Sequence, residues 1–271
     1  MKASETLDFL ATKFEVPVKD FPDGGFILGS GEDEVRGALV TWMATPEALQ
    51  TAVDNGLNLI ICHESFLWYE REEIWPYREA GPFRKAHDWK QHPDLLLTEF
   101  ARKNKLTVLH IHYALDRAYI FEDFFAQLGI REVVSGSIYE KVYSLPRPMR
   151  FAELVEHVGN IFQLPMLRFL GDENKIIRQL GNCWGGVGLS SNRYFARRLF
   201  EAGADAIICG EIDEMAFFFA QQCGGALIET SHCLSENYGI ARFTKELGEF
   251  FKIPVHFFEI KTPWQSKNFR I

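Results

Sequence analysis

The chain has 271 residues, of which 47% are apolar and 24% charged, and its formal net charge is −8. This length allows one large α/β domain or two smaller ones, each with a core of its own. The negative charge argues against a nucleic-acid groove, and no uncharged apolar run reaches the roughly 18 residues that span a bilayer. The five cysteines contain no C-x-x-C pair, and the N-terminus lacks a signal-peptide layout. We therefore expect reduced thiols and a cytoplasmic protein.

The first half of the chain alternates between apolar strands and amphipathic helices. Residues 35–43 form the first predicted strand, and Thr45, Pro46 and Glu47 then supply the cap, the proline and the acid that begin a helix. The later predicted elements of this half are strands at 58–62 and 106–112 and helices at 94–104 and 122–129. The charged, aromatic segment 66–83 is typical of a lid over a site or of a subunit contact.

The second half continues this alternation. Its predicted elements are a strand pair in 132–146, a helix at 149–163, a strand at 175–183, a glycine-rich turn at 184–188, a helix at 191–205, a strand at 206–210, a helix at 214–225, a strand at 226–230, a helix at 238–251 and a strand at 254–260. The alternation of the first half predicts a mostly parallel, layered α/β sheet, and the chain as a whole is predicted to belong to the α/β class with two layered α/β subdomains. We place the first subdomain at 1–128, with 229–271 returning to it, and the second at 129–228.

Three of the predicted strands are followed by an imidazole and a carboxylate. The three pairs are His63 with Glu64, His112 with Asp116, and His232 with Glu236. Because the carboxyl ends of strands in an open α/β sheet converge on a cleft, we expect these side chains to meet there. Imidazole and carboxylate ligands suit zinc, iron(II) or manganese, and three pairs exceed the needs of one tetrahedral ion. A turn or cap role for each pair is the alternative, and the residues alone leave both interpretations open.

The motifs ICHES, HYALD and SHCLSE resemble, in order and context, the NIF-three-like dinuclear-metal family, also described as the GTP cyclohydrolase 1 type 2 family. Its members typically have a strand ending in His-His, then His-Thr-x-x-Asp, then a late His-Tyr-x-x-Glu. NCWGGVG and ADAIICGEIDEM are also similar to family segments, so the resemblance covers nearly the whole chain, in a short form without the central insertion. It implies two divalent metal ions per chain (Mn, Fe, Zn or Mg). The implied ligands are His63, Glu64, Asp116, His232 and Glu236.

The resemblance also implies roles for residues beside that centre. His112 matches a family position beside the metal centre whose side chain carries a proton or orients a metal ligand. Glu211 matches a family acid that lies on the substrate side of the metal centre or behind the metal ligands. Asp116 or Glu236 is the natural bridging carboxylate, since an acid can offer one oxygen to each of two ions. Glu64 stands where the family usually has its second His. A carboxylate at that position favours Mn, Fe(II) or Mg over zinc.

The glycine-rich turn 184–188 has two interpretations. Gly185, Gly186 and Gly188 can expose backbone N–H groups to an anion at the start of the following helix. They can equally form a tight turn that binds no ligand.

We interpret the chain as a two-metal hydrolase that activates a bridging water, with His112 moving the proton. The family label implies cyclohydrolase chemistry, whereas the glycine turn favours a phosphoester, so the expected substrate is a small nucleotide-like or phosphorylated molecule. The family further implies self-association, from dimers to a hexameric ring. The alternative is a non-enzymatic protein, either a metal-binding or metal-delivery protein or an interaction module with structural ions. A catalytic centre keeps a position open for water and a structural one is closed.

Overall fold

A computed structural model describes residues 1–13, 25–65, 93–137, 139–265 and 267. These residues form a mixed α/β protein with two sheets, as the sequence predicted. Unit 1 comprises Met1–Ala118 and Ile240–Glu259, and unit 2 comprises Tyr119–Gly239 and Ile260–Ile271. The segment predicted as a lid or contact, 66–83, lies outside the described residues. Within the described ranges, no helix has the length and apolar character to cross a membrane.

The strands and helices follow one another along most of the chain. The strands are β1 (Gly25–Leu28), β2 (Ala38–Met43), β3 (Leu59–Glu64), β4 (Thr107–His110), β5 (Glu132–Ser137), β6 (Glu140–Arg150), β7 (Arg168–Leu170), β8 (Ile176–Cys183), β9 (Ala206–Cys209), β10 (Leu227–Glu229) and β11 (Val255–Phe258). The α-helices are α1 (Glu5–Ala11), α2 (Pro46–Asp54), α3 (Pro93–Lys103), α4 (Tyr113–Leu115), α5 (Phe121–Ala126), α6 (Phe151–Phe162), α7 (Arg193–Glu201), α8 (Glu214–Gln222) and α9 (His232–Phe251). A π-helical turn, Asp116–Ile120, separates α4 from α5, and a 3-10 turn occupies Gly185–Gly188.

The sheet of unit 1 has the strand order β1-β4-β3-β2-β11. β4, β3, β2 and β11 pair in parallel, and β1 pairs antiparallel with β4. The central strands are near-continuous apolar runs, which is typical of parallel strands covered on both faces. Leu39, Ile60 and Val108 from these strands pack with Leu49 of α2 in one buried cluster. The prediction of a mostly parallel sheet is therefore confirmed for this unit.

The sheet of unit 2 has the order β5-β6-β8-β9-β10-β7. β8, β9 and β10 are parallel, whereas the β5–β6, β6–β8 and β10–β7 pairings are antiparallel. The strand pair predicted in 132–146 corresponds to β5 and β6, whose short connection permits only an antiparallel hairpin. The antiparallel pairing of β7 was not predicted, because β7 is too short to give a strand signal in the sequence.

Three predicted boundaries shift at the residues of interest. β3 continues through His63 and Glu64, whereas the sequence placed both after the strand. β4 ends at His110, two residues before His112, which caps α4. The prediction that His232 and Glu236 lie in a loop before a helix at 238–251 is wrong, because α9 begins at His232. Polar residues such as Ser235 hid this start, and the Ser235 N–H donates to the Ser231 carbonyl over 3.0 Å as in a helical turn.

The N-cap of α2 gives a test of how the sequence specifies a helix start. The Thr45 side chain accepts a hydrogen bond from the Ala48 N–H at 3.3 Å. We expect Thr45→Ala to lower the free energy of unfolding by about 1 kcal/mol, measured by urea denaturation. Thr51→Ala is the control, since the Thr51 hydroxyl donates to the Glu47 carbonyl inside the same helix and alanine is the better helix former. Equal losses in both variants would contradict the capping role.

Candidate metal centre

The end of β3 and the start of α4 bring four side chains together within unit 1. His63 is fully buried, and Glu64 follows it at the end of the strand. His112 and Asp116 lie four residues apart, with the Asp116 N–H donating to the His112 carbonyl at 3.1 Å. The candidate ligand atoms of His63, Glu64 and His112 all lie within 4.8 Å of one another. This spacing is compatible with ligands that share a metal ion.

A backbone carbonyl fixes the orientation of His63. The Nδ1 atom of His63 lies 3.2 Å from the carbonyl oxygen of Ile111. Because a carbonyl can only accept, Nδ1 carries the hydrogen, and the neutral ring has its lone pair on Nε2. This Nε2 faces the Asp116 carboxylate at 3.8 Å. The imidazole is thus held in the tautomer that a metal ligand needs, by the kind of outer contact that orients metal-binding histidines.

His112 lies between two acids. Its Nε2 is 3.5 Å from Glu64 Oε1, and its Nδ1 is 3.3 Å from Asp116 Oδ2. Its ring stacks on that of His63, with the centroids 4.4 Å apart and the planes at 9°. The side chain is 36% exposed, whereas that of Asp116 is 9% exposed. An imidazole that reaches both carboxylates and solvent is well placed to transfer a proton.

Asp116 also begins an unusual stretch of backbone. The π-helical turn Asp116–Ile120 starts at this residue and follows the single turn of α4. Such turns are rare and are frequently found at functional sites. Here the turn follows directly on the pairing of Asp116 with His112.

Unit 2 holds a second cluster, at the ends of β9 and β10. His232 Nδ1 lies 3.0 Å from Glu211 Oε2, and His232 Nε2 lies 3.4 Å from Glu236 Oε1. The Glu236 side chain is only 2% exposed, whereas that of Glu211 is 49% exposed. The hydrogen bond from His232 holds the pKa of the Glu211 carboxyl below its ordinary value. An ionised Glu211 can only accept, so Nδ1 of His232 carries a hydrogen in this contact.

The glycine-rich turn packs directly on this second cluster. Gly185 has φ +50°, and a Cβ there would lie 2.0 Å from Glu236 Oε1 and 3.1 Å from His232 Nε2. The Gly185 N–H donates to Ser235 Oγ at 2.9 Å. Because that N–H is already used within the protein, Gly185 favours the tight-turn interpretation over anion binding. The glycine is required because no side chain fits beside Glu236.

Ser235 is a residue of this cluster that sequence reasoning missed. Its Oγ accepts from Gly185 and donates to the His232 carbonyl at 2.7 Å. Ser235 is fully buried, and so links the glycine turn to the first turn of α9. Its place inside the SHCLSE motif, three residues after His232, is the signal that could have identified it.

The cysteines beside the candidate ligands are buried thiols. Cys62 is fully buried and Cys233 is 2% exposed. Burial raises the pKa of Cys62 to about 12 and raises that of Cys233 as well. A thiol with a raised pKa is a poor metal ligand at neutral pH. The donors of both clusters are therefore nitrogen and oxygen atoms.

Comparisons with known proteins identify the family of the chain. The family Duf34/NIF3 (NGG1p interacting factor 3) matches residues 1–263. A relative from Neisseria meningitidis serogroup B, described as a GTP cyclohydrolase 1 type 2 homolog, is 26% identical over 254 residues, which are 90% of this chain and 92% of the relative. A relative of the same description from Pseudomonas aeruginosa is 29% identical over 120 residues, 44% of this chain and 45% of the relative. The chain belongs to the Duf34/NIF3 family.

Solved structures share the fold. A hypothetical protein from Staphylococcus aureus aligns with a TM-score of 0.76 and 17% identity, covering 98% of this chain and 99% of that one. A Bacillus cereus protein related to NIF3 aligns with a TM-score of 0.74 and 13% identity, covering 100% of this chain and 99% of that one. At these identities the likeness establishes the architecture alone.

The contact between Gly185 and Glu236 predicts a specific cost for an added methyl group. Gly185→Ala places a Cβ against Glu236 Oε1, so Glu236 or the turn must shift. The control is Gly56→Ala, because Gly56 has φ +69° with no atom within 4 Å of an added Cβ. Both variants bear the strain of alanine at positive φ, about 1 kcal/mol. We expect Gly185→Ala to lose at least about twice as much unfolding free energy in urea. Equal losses would show that the contact with Glu236 is unimportant.

Proposed function

We propose that the chain is a dinuclear-metal hydrolase. The proposed ligands of the two divalent ions are His63, Glu64, Asp116, His232 and Glu236. The observation that carries this proposal is the group His63, Glu64 and His112, in which two proposed ligands and the proposed proton carrier have their candidate ligand atoms within 4.8 Å of one another. The close pair of His232 and Glu236 in unit 2 supports it, since their facing ligand atoms are 3.4 Å apart.

The chemistry of the donors fits divalent cations. Asp116 and Glu236 are buried carboxylates, and burying a negative charge is costly unless a cation or hydrogen bonds compensate it. Hydrogen bonding at Nδ1 leaves the lone pair of His63 and of His232 on Nε2, facing a carboxylate in each case. Nitrogen and oxygen donors without thiolate suit manganese, iron(II) or zinc.

The chain's own residues supply positioning and proton transfer. When bound, two divalent ions supply Lewis acidity to a water and to an oxygen of the substrate. Asp116 or Glu236 would be the carboxylate that holds both ions, because an acid can offer one oxygen to each. His112, held between Glu64 and Asp116, accepts the proton that the attacking water loses. Glu211 fixes the ring of His232.

The proposed substrate is a small nucleotide-like or phosphorylated molecule. The relatives described as GTP cyclohydrolase 1 type 2 homologs support cyclohydrolase chemistry on a nucleotide. A phosphoester is the second substrate class to test. The proposal further includes self-association, from dimers to a hexamer, and a place in the cytoplasm.

Metal content is the first test of this function. Full-length protein incubated with Mn²⁺ or Zn²⁺ and then desalted should carry about two ions per chain by elemental analysis, as two-metal hydrolases do. His232→Ala should reduce that number and lower hydrolysis of nucleotides, cyclic amides and phosphoesters by at least about 100-fold. His256→Ala is the matched control, because His256 is an exposed residue of β11. Metal-free wild-type protein after incubation would refute the metal centre.

The same experiment separates an enzyme from a metal-binding protein. Two bound ions with turnover that disappears in His232→Ala support the hydrolase. Two bound ions without turnover on any substrate class would instead identify a non-enzymatic metal-binding or metal-delivery protein.

Glu64 gives a test of metal preference. Glu64→His replaces a hard carboxylate oxygen with an imidazole nitrogen and should raise the ratio of zinc affinity to manganese affinity by about 10-fold or more. Competition between Mn²⁺ and Zn²⁺, followed by elemental analysis, measures this ratio. Glu47→His is the control, since Glu47 is exposed in the first turn of α2. An unchanged ratio in Glu64→His would show that Glu64 does not bind the ion.

A further inference from the structure

Arg168, the first residue of β7, makes a two-pronged ion pair across the edge of the sheet in unit 2. Arg168 is the register partner of Glu229 on β10. Its Nε and one terminal nitrogen each donate to a different oxygen of the Glu229 carboxylate. The guanidinium also lies over the ring of Phe217, with 5.4 Å from its carbon to the ring centroid. Such a paired fork has one defined orientation, unlike a single ammonium contact.

The ion pair extends to the segment that follows β9. The terminal nitrogen of Arg168 also donates to the Ile212 carbonyl at 2.6 Å. The Ile212 N–H in turn donates to Glu229 Oε1 at 2.9 Å. Both peptide groups of Ile212 are therefore bonded to the same ion pair. The Ile212 side chain is 2% exposed and packs in the core of unit 2, so this residue is anchored on both sides.

Glu211 precedes this anchored residue. Its N–H donates to the Gly185 carbonyl at 2.8 Å, and its half-exposed carboxylate accepts from His232 Nδ1 at 3.0 Å. The backbone at 211 is thus fixed by the glycine turn on one side and by Ile212 on the other. A long, half-exposed glutamate needs a fixed backbone to keep one orientation, because its side chain has several rotamers.

We propose that Arg168 is a positioning residue that, through Glu229 and the Ile212 backbone, holds Glu211 where its carboxylate accepts the hydrogen of His232 Nδ1 and so orients the ring. Charge alone is insufficient for this role, since three donor contacts must be made in fixed directions. A lysine has a single nitrogen and no planar fork to meet both Glu229 oxygens and the Ile212 carbonyl in this geometry. The role of His232 as a metal ligand rests on the proposed function, whereas its hydrogen bond with Glu211 does not.

The hydrogen bond at Nδ1 of His232 in the metal-free full-length protein is the direct test. The two ring ¹⁵N resonances of His232 are assigned by their absence in His232→Gln and recorded with their attached hydrogens at about pH 8, above the ordinary pKa of an imidazole. The wild-type Nδ1 should carry a hydrogen that exchanges slowly with water, because Glu211 accepts it. In Arg168→Gln this hydrogen should exchange faster and the Nδ1 resonance should shift, because Glu211 is no longer held against the ring. Arg168→Lys should show the same change in smaller measure.

Arg198→Gln is the matched control, because Arg198 pairs with Glu140 in the same unit and has no bond to the 211–212 segment among the described contacts. It should leave the His232 resonances unchanged at a comparable loss of thermal stability. Wild-type resonances in Arg168→Gln would overturn the proposal. If that variant does not fold, wild-type resonances in Arg168→Lys would overturn it equally.

Metal affinity is the second readout. By isothermal titration with Mn²⁺, Arg168→Gln should bind about 10-fold more weakly than wild type, the usual effect of losing a group that orients a ligand. A wild-type protein that binds no Mn²⁺ would refute the proposed function and leave the ¹⁵N result to decide on Arg168. Unchanged Mn²⁺ affinity together with unchanged resonances would show that Arg168 only stabilises the edge of the sheet.

Discussion

A buried carboxylate beside an imidazole four residues earlier recurs at the start of a helix in each unit. Asp116 pairs with His112 at 3.3 Å, and Glu236 pairs with His232 at 3.4 Å. A carboxylate taken out of water is costly unless it is paired, and a spacing of four residues puts both side chains on one helix face. The helix must therefore begin at or directly after the histidine, close to the preceding strand. HYALD and HCLSE both meet this requirement.

Backbone contacts restrict the movement of the side chains in both clusters. In unit 1 the Ile111 carbonyl fixes the ring of His63, and the Ile111 N–H is itself bonded to the Cys62 carbonyl at 2.9 Å. In unit 2 the backbone of Gly185 approaches Glu236 more closely than any side chain allows. Donors held by backbone contacts keep their geometry without reorganisation, which is what a ligand set or a catalytic group requires.

The sequence predicted the elements whose apolar patterns are long and missed those that are short. β3 and the start of α2 follow from an apolar run and from Thr45 with Pro46. By contrast, β7 spans only three residues and shows no hydrophobic periodicity. The pairing of Arg168 with Glu229 could therefore not be predicted from the sequence. The histidine and acid pairs could be recognised because they follow apolar runs. The tautomers could not, since they depend on which carbonyl or carboxylate the folded backbone brings to each Nδ1.

Glu64 affects more than the choice of metal. The resemblance implies that relatives usually have a second histidine at this position. Such a histidine would offer the ion a nitrogen donor in place of a carboxylate oxygen. Here Glu64 lies 3.5 Å from His112, whose other nitrogen meets Asp116. Under the proposed function, the Glu64 carboxylate supplies a hard oxygen ligand to the metal ion. It also gives His112 a second acidic partner. Position 64 therefore affects both the metal preference and the contacts that orient the ring of His112.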